Sequence, residues 1–238
     1  MRFLMQLWLL ALVAVTMPAP ALADSVTFGY SGGLVHTQAL GATRITNDPY
    51  VAGLDPVPQA EWSTLVSISS TTGIALNGSL GDVIFYTGPF MGPDPNDPYT
   101  MLLYAGGEIK IIASAEFEAL TGIPAGTILF QGQFSDVTRW TQLDCFDTNC
   151  TGPIHFLLSG MITGQMHPAL LAYLGLDPAN FGPDSTFHFS MVLASWDEQK
   201  GPLQTGEISL HTPEPGTLTL FGSGLLAVAG LLRRRRAA

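Results

Sequence analysis

Between residues 24 and 212 apolar and polar side chains alternate with a period of two, and turn residues interrupt them about every ten positions. Successive side chains of a strand point to opposite faces, so a strand buried on one face reads as this alternation. Ser25 to Tyr30 and Leu34 to Leu40 open the series. Trp62 to Ser69, Gly73 to Leu80 and Val83 to Thr87 continue it. Met101 to Tyr104 and Glu108 to Ala115 are expected to pair around Ala105-Gly106-Gly107. In the second of these, Ile109, Ile111 and Ala113 face inward while Glu108, Lys110 and Ser114 face water. Thr127 to Val137 places Ile128, Phe130, Gly132 and Phe134 on one face. Ile154 to Gln165 forms a long strand, Phe187 to Leu193 alternates again, and Gly206 to His211 is the last strand.

Breaks in the pattern mark the other elements. Asn47 to Pro58 is rich in Asp, Pro and Gly, and Gly88 to Pro98 carries four prolines, so both are expected to be loops. His167 to Leu174 is the best short helix, with Pro168 near its start and Gly175 past its end. These features predict an all-β domain, an antiparallel two-sheet sandwich with one short helix. A jelly-roll topology is the first choice and an Ig-like one the second. A closed membrane barrel fits less well, because no strand series shows aromatic girdles or lipid-facing bands.

Both ends are of a different kind. Arg2, the apolar stretch Phe3 to Val15 and the triplet Ala21-Leu22-Ala23 read as a secretory signal peptide cut by signal peptidase after Ala23. At the other end Pro213, Glu214 and Pro215 precede an uncharged apolar run, Leu218 to Leu232, and then Arg233, Arg234, Arg235 and Arg236. Each proline lacks an N–H and fixes φ, so the Pro-Glu-Pro segment presents an extended backbone. The apolar run suits a transmembrane helix, although at ~1.5 Å per residue it reaches about 22 Å of the usual ~30 Å hydrocarbon core. Clustered arginines resist translocation and act as a cytoplasmic anchor. The organisation predicted is a signal peptide over 1–23, a secreted domain over 24–212 and a tail over 213–238.

This three-part tail resembles the PEP-CTERM sorting signal of Gram-negative bacteria, over Pro213 to Arg236. The resemblance implies recognition by an integral-membrane transpeptidase, an exosortase, and cutting near Pro213-Glu214-Pro215. It implies export through the inner membrane, transient membrane insertion, and release to the outer surface or extracellular matrix. The family is linked to exopolysaccharide and biofilm. It concerns where the cargo goes and not what the cargo does. A permanent anchor without processing is the plainer alternative. A GPI tail fits poorly, since such tails end apolar.

Charge narrows the partners of the middle domain. Between residues 24 and 212 stand four basic residues, Arg44, Lys110, Arg139 and Lys200, against eighteen acidic ones, a net of −14. Nucleic acid would be repelled. A neutral glycan stays open. Cys145 and Cys150 are spaced to close a small disulfide loop in an exported chain.

Signatures of catalysis are missing from the middle domain: it has no G-x-S-x-G, G-x-G-x-x-G, P-loop or H-E-x-x-H. His36, His155, His167, His188 and His211 are dispersed, and Glu116 and Glu118 read as solvated acids of an extended segment. Asp94 and Asp97 in one loop, and Asp144 and Asp147 beside the cysteines, are the residue types that calcium would take, though neither segment matches an EF-hand. No other cofactor is expected. Trp62, Trp140 and Trp196, with Tyr50 and Tyr99, could stack on sugar rings if displayed on one face. The expectation is an exported, non-enzymatic protein of the cell envelope or extracellular matrix. A carbohydrate-binding module with the same tail is the alternative, and a hydrolase a further one.

Overall fold

A computed structural model of the chain describes residues 24–39, 43–48, 58–144, 154–194 and 200–211. The compact unit within it runs Asp24–His211. Its strands are β1 (Ser25–Ser31), β2 (Leu34–Ala39), β3 (Thr43–Thr46), β4 (Ser63–Ser70) and β5 (Ala75–Thr87). Then come β6 (Phe90–Asp94), β7 (Asp97–Leu103), β8 (Gly107–Ala113), β9 (Ile128–Phe134) and β10 (Thr138–Gln142). β11 (Phe156–Met166), β12 (Ser185–Leu193) and β13 (Lys200–His211) complete the series. Helix α1 is Ala115–Thr121 and helix α2 is Pro168–Leu174.

Eight strands form a ring. β1 pairs with β4, β4 with β5, β5 with β8 and β8 with β9. β9 pairs with β11, β11 with β12, β12 with β13, and β13 with β1 again. Every pair is antiparallel, and neighbours in the ring follow chain order, so this is a closed eight-strand barrel and not a two-sheet sandwich of either topology. Alternating faces are common to both architectures. What separates them is whether the first and last strands meet. Here they do, through a seam running from Ser25↔His211 to Tyr30↔Gly206.

The interior is filled by rings. Phe130 meets Phe187 edge-on at 4.6 Å, and Phe134 meets Phe189 edge-on at 5.2 Å. Phe28, Tyr30 and Phe85 are fully buried around them. Eight strands leave an interior just wide enough for side chains, which explains why this barrel is a packed core. Outward positions such as Thr27, Ser69, Gln131, Thr163, His188 and Glu207 are polar.

The other strands prolong the ring's sheet. Leu103↔Thr138 and Ile109↔Gly132 hold one register, so β7 with β8 and β9 with β10 run as two long, interrupted strands. The Gly106 N–H donates to the Phe134 carbonyl at 2.7 Å across the interruption. β5 and β6 line up against β8 and β7 in the same way, through Thr87↔Gly107 and Gly92↔Leu102. Two expectations fall here. Met101–Tyr104 and the strand after it are not a hairpin but successive parts of one line. The proline-rich stretch 88–98 is not a loop, because β6 pairs only with β7 among the described residues, and an edge strand tolerates prolines.

Helix α2 matches its expectation. His167 caps it by accepting from the Ala169 N–H, Pro168 starts it, and Gly175 ends it in the left-handed region at φ 66°. Leu170, Leu171 and Leu174 face the core. Helix α1 replaces an expected extended segment. Ser114 caps it by accepting from the Phe117 N–H, and Phe117 is the residue it buries.

Among the described residues no helix is long and apolar enough to cross a membrane. The transmembrane helix expected over Leu218 to Leu232 lies outside the described residues. So do Ala21, Ala23, Pro213, Glu214, Pro215, the arginines 233–236, Cys145 and Cys150.

Candidate functional site

The first region of interest is the corner of the barrel where the chain leaves for its tail. Gly206 to His211 pair with β1 in continuous register. On the other side of β13 the ladder with β12 stops at His188↔Ser209. Leu210 and His211 therefore have β1 as their one strand neighbour among the described residues. The Leu210 side chain is nonetheless 4% exposed. Across the seam the start of β1 is pinned. The Ser25 N–H donates to Thr71 Oγ1 at 3.1 Å, and the Thr71 N–H donates to the Ser25 carbonyl at 3.1 Å. Asn180 Nδ2 donates to Asp24 Oδ2 at 2.8 Å.

The second region is an open groove of about 660 Å³ on the outer face of β8, β9 and β11. Register brings its amides together: Gln131 lies opposite Gln165, and Gln133 opposite Thr163. Glu108 is fixed there, accepting from Lys110 Nζ at 2.6 Å and from Gln131 Nε2 at 2.5 Å. The side chains of Gln133, Thr163, Gln165 and Asp184 make no hydrogen bond among the described residues. An amide offers a donor and an acceptor side by side, which matches a pair of hydroxyl groups. Sequence reasoning missed these residues. Their outward alternation was visible, but the register that joins three strands was not.

Three of the candidate calcium ligands, Asp94, Asp97 and Asp144, are engaged by protein donors. Asp94 Oδ1 accepts from the Asn96 N–H at 2.9 Å and Oδ2 from Arg139 Nη1 at 2.9 Å. Asp97 accepts from the Thr100 hydroxyl at 2.7 Å and from the Tyr99 N–H at 3.0 Å. These two bonds, the hydroxyl first, hold its carboxyl below the usual range. Asp144 accepts from the His155 N–H at 2.7 Å and lies 2.5 Å from His155 Nδ1. The backbone bond comes first in holding Asp144 low, followed by the side-chain one. Asp147 lies outside the described residues. Among the described residues no group of three or more His, Cys, Asp or Glu could hold a metal.

The remaining candidates are scattered. Trp140 is 6% exposed and stacks on Phe156 at 5.0 Å, while Trp62 is half-buried. Tyr99 is 41% exposed. Tyr50 and Trp196 lie outside the described residues. Glu116 and Glu118 sit in the first turn of α1, where they accept from the N–H groups of Ser79 and Ala125 at 3.2 and 2.9 Å. His36 contacts Glu61 at 3.0 Å.

No curated protein and no solved structure matches the chain. A protein-family model described as "PEP-CTERM protein-sorting motif" matches residues 211–236. Its first residue is His211, the last of the closing strand. The chain thus carries a PEP-CTERM protein-sorting motif at its C-terminal end, directly behind the strand that closes the barrel.

Proposed function

We propose that this protein is an exported, non-enzymatic barrel domain of the cell envelope or extracellular matrix, delivered by its tail. An exosortase recognises the tail and cuts near Pro213-Glu214-Pro215, after transient membrane insertion. The domain then serves in a matrix rich in exopolysaccharide. The match to residues 211–236 supports the sorting and export in this reading. The aromatic interior and the local engagement of Asp94, Asp97 and Asp144 support a structural role over a catalytic one. No cofactor is needed for it. The test is replacement of Pro213, Glu214 and Pro215 by alanine in the exosortase-bearing host. The variant should stay in the membrane fraction, and release at the normal rate would overturn the reading.

A second reading, a glycan-binding domain with the same tail, is favoured by the groove and its unengaged amides. It moves the binding surface from the tryptophans to Gln131, Gln133 and Gln165. Its test is binding of a neutral polysaccharide to the purified domain.

A further inference from the structure

The sorting tail begins where the barrel ends. β13 is paired up to His211, and Thr212 alone separates that residue from Pro213. One residue spans at most about 3.5 Å. A peptidase holds its substrate as an extended strand over several residues and uses the backbone groups of that strand. Just upstream of the Pro-Glu-Pro motif, Leu210 turns those groups to Val26 of β1, because both groups of the neighbouring Ser25 go to Thr71.

The corner is unequal in strength. The start of β1 is held by Thr71 on both its backbone groups, and Asp24 by Asn180. Beyond Ser209, β13 has lost β12 and leans on β1 and on the burial of Leu210. Opening at this corner therefore happens by peeling Leu210 and His211.

Order of synthesis sharpens the contrast. Ala23 stands as close to β1 as Pro213 does to β13, with Asp24 between. When that N-terminal site emerges, β4 and β13 do not yet exist, so no fold opposes its cutting. When the tail emerges, every partner of β13 is already present. Barrel closure and tail processing then compete for the same residues.

We propose that Leu210 and His211 form a latch: the exosortase reaches the sorting motif only on chains in which these two residues have left β1. This rests on the processing reading above. The test is pulse-chase of the full-length protein in the exosortase-bearing host. A flexible Gly/Ser insert of about six residues between His211 and Thr212 should speed processing about tenfold, because it removes the need to peel. Leu210→Ala should also speed it, while Leu171→Ala, an equivalent loss in α2, should leave the rate unchanged. An insert variant processed at the wild-type rate overturns the latch. So does equal acceleration by Leu171→Ala, which would make the effect one of global stability. If neither wild type nor the insert variant is processed at all, the exosortase reading itself fails, and the latch with it.

Discussion

Tyr30 faces Gly206 across the barrel seam, and its ring fills the space that a β-carbon on residue 206 would occupy, 2.2 Å from the ring carbons. Gly206→Ala should therefore force the ring aside in a full interior. A loss of about 1–3 kcal/mol is expected, the usual effect of overpacking. Urea unfolding of the 24–211 domain checks it. An unchanged midpoint would mean that the seam has slack.

The Tyr30 hydroxyl donates to the Ser190 carbonyl at 3.0 Å, linking β1 to β12 across β13. Tyr30→Phe should cost about 1–2 kcal/mol, since it leaves a carbonyl without this donor. Burial first, and the charge of Glu207 second, push the phenol well above its ordinary value of 10.0. Above pH 10.0 the unfolded chain loses this proton while the folded chain keeps it, so stability falls as pH rises. Tyr30→Phe should flatten that alkaline decline. Thermal melts across this range measure it.

The acid side has the opposite sign. Asp97 and Asp144 are held below their ordinary value of 3.8 by the donors around them. Their contribution is complete above that value and disappears as pH falls through the lowered folded values. Asp97→Asn should reduce the acid dependence of unfolding, and Thr100→Val should reduce it in the same direction. Asp82 works against them, because burial raises its carboxyl. Asp82→Asn should make the acid decline steeper.

If the groove takes a neutral polysaccharide, the double variant Gln131→Ala, Gln165→Ala should weaken that binding at least about tenfold, through the loss of several hydrogen bonds. Trp62→Ala should leave it unaltered. Calorimetry with the purified domain measures both. An effect of the tryptophan alone would return the site to an aromatic platform.

Much of the strand content was legible, because each strand carries its own burial pattern. Phe187, Phe189, Met191 and Leu193 announce the inner face of β12 without reference to any neighbour. Helix α2 was legible for the same reason, since His167, Pro168 and Gly175 are its start and stop signals. The barrel was not. Its defining contact pairs Ser25 with His211, and no local pattern encodes a partner so far along the chain. Pro93 concealed β6, although a proline on an edge strand leaves no ladder donor missing. Helix α1 was hidden because Glu116, Phe117 and Glu118 satisfy an alternating pattern as well as a helical one; the Ser114 cap decides between them. The sorting motif was legible in full, because its proline, apolar and arginine parts are contiguous and need no fold to bring them together. The groove depends on register across three strands and was not.

Removal of the tail after export is the central step of the proposed delivery. Intact-mass measurement of the native protein, recovered from the medium and envelope of its host, tests this directly. The predicted product begins at Asp24 and ends close to Pro213-Glu214-Pro215, without the apolar run or the arginines. A full-length C-terminus that still carries Arg233 to Arg236 would contradict it.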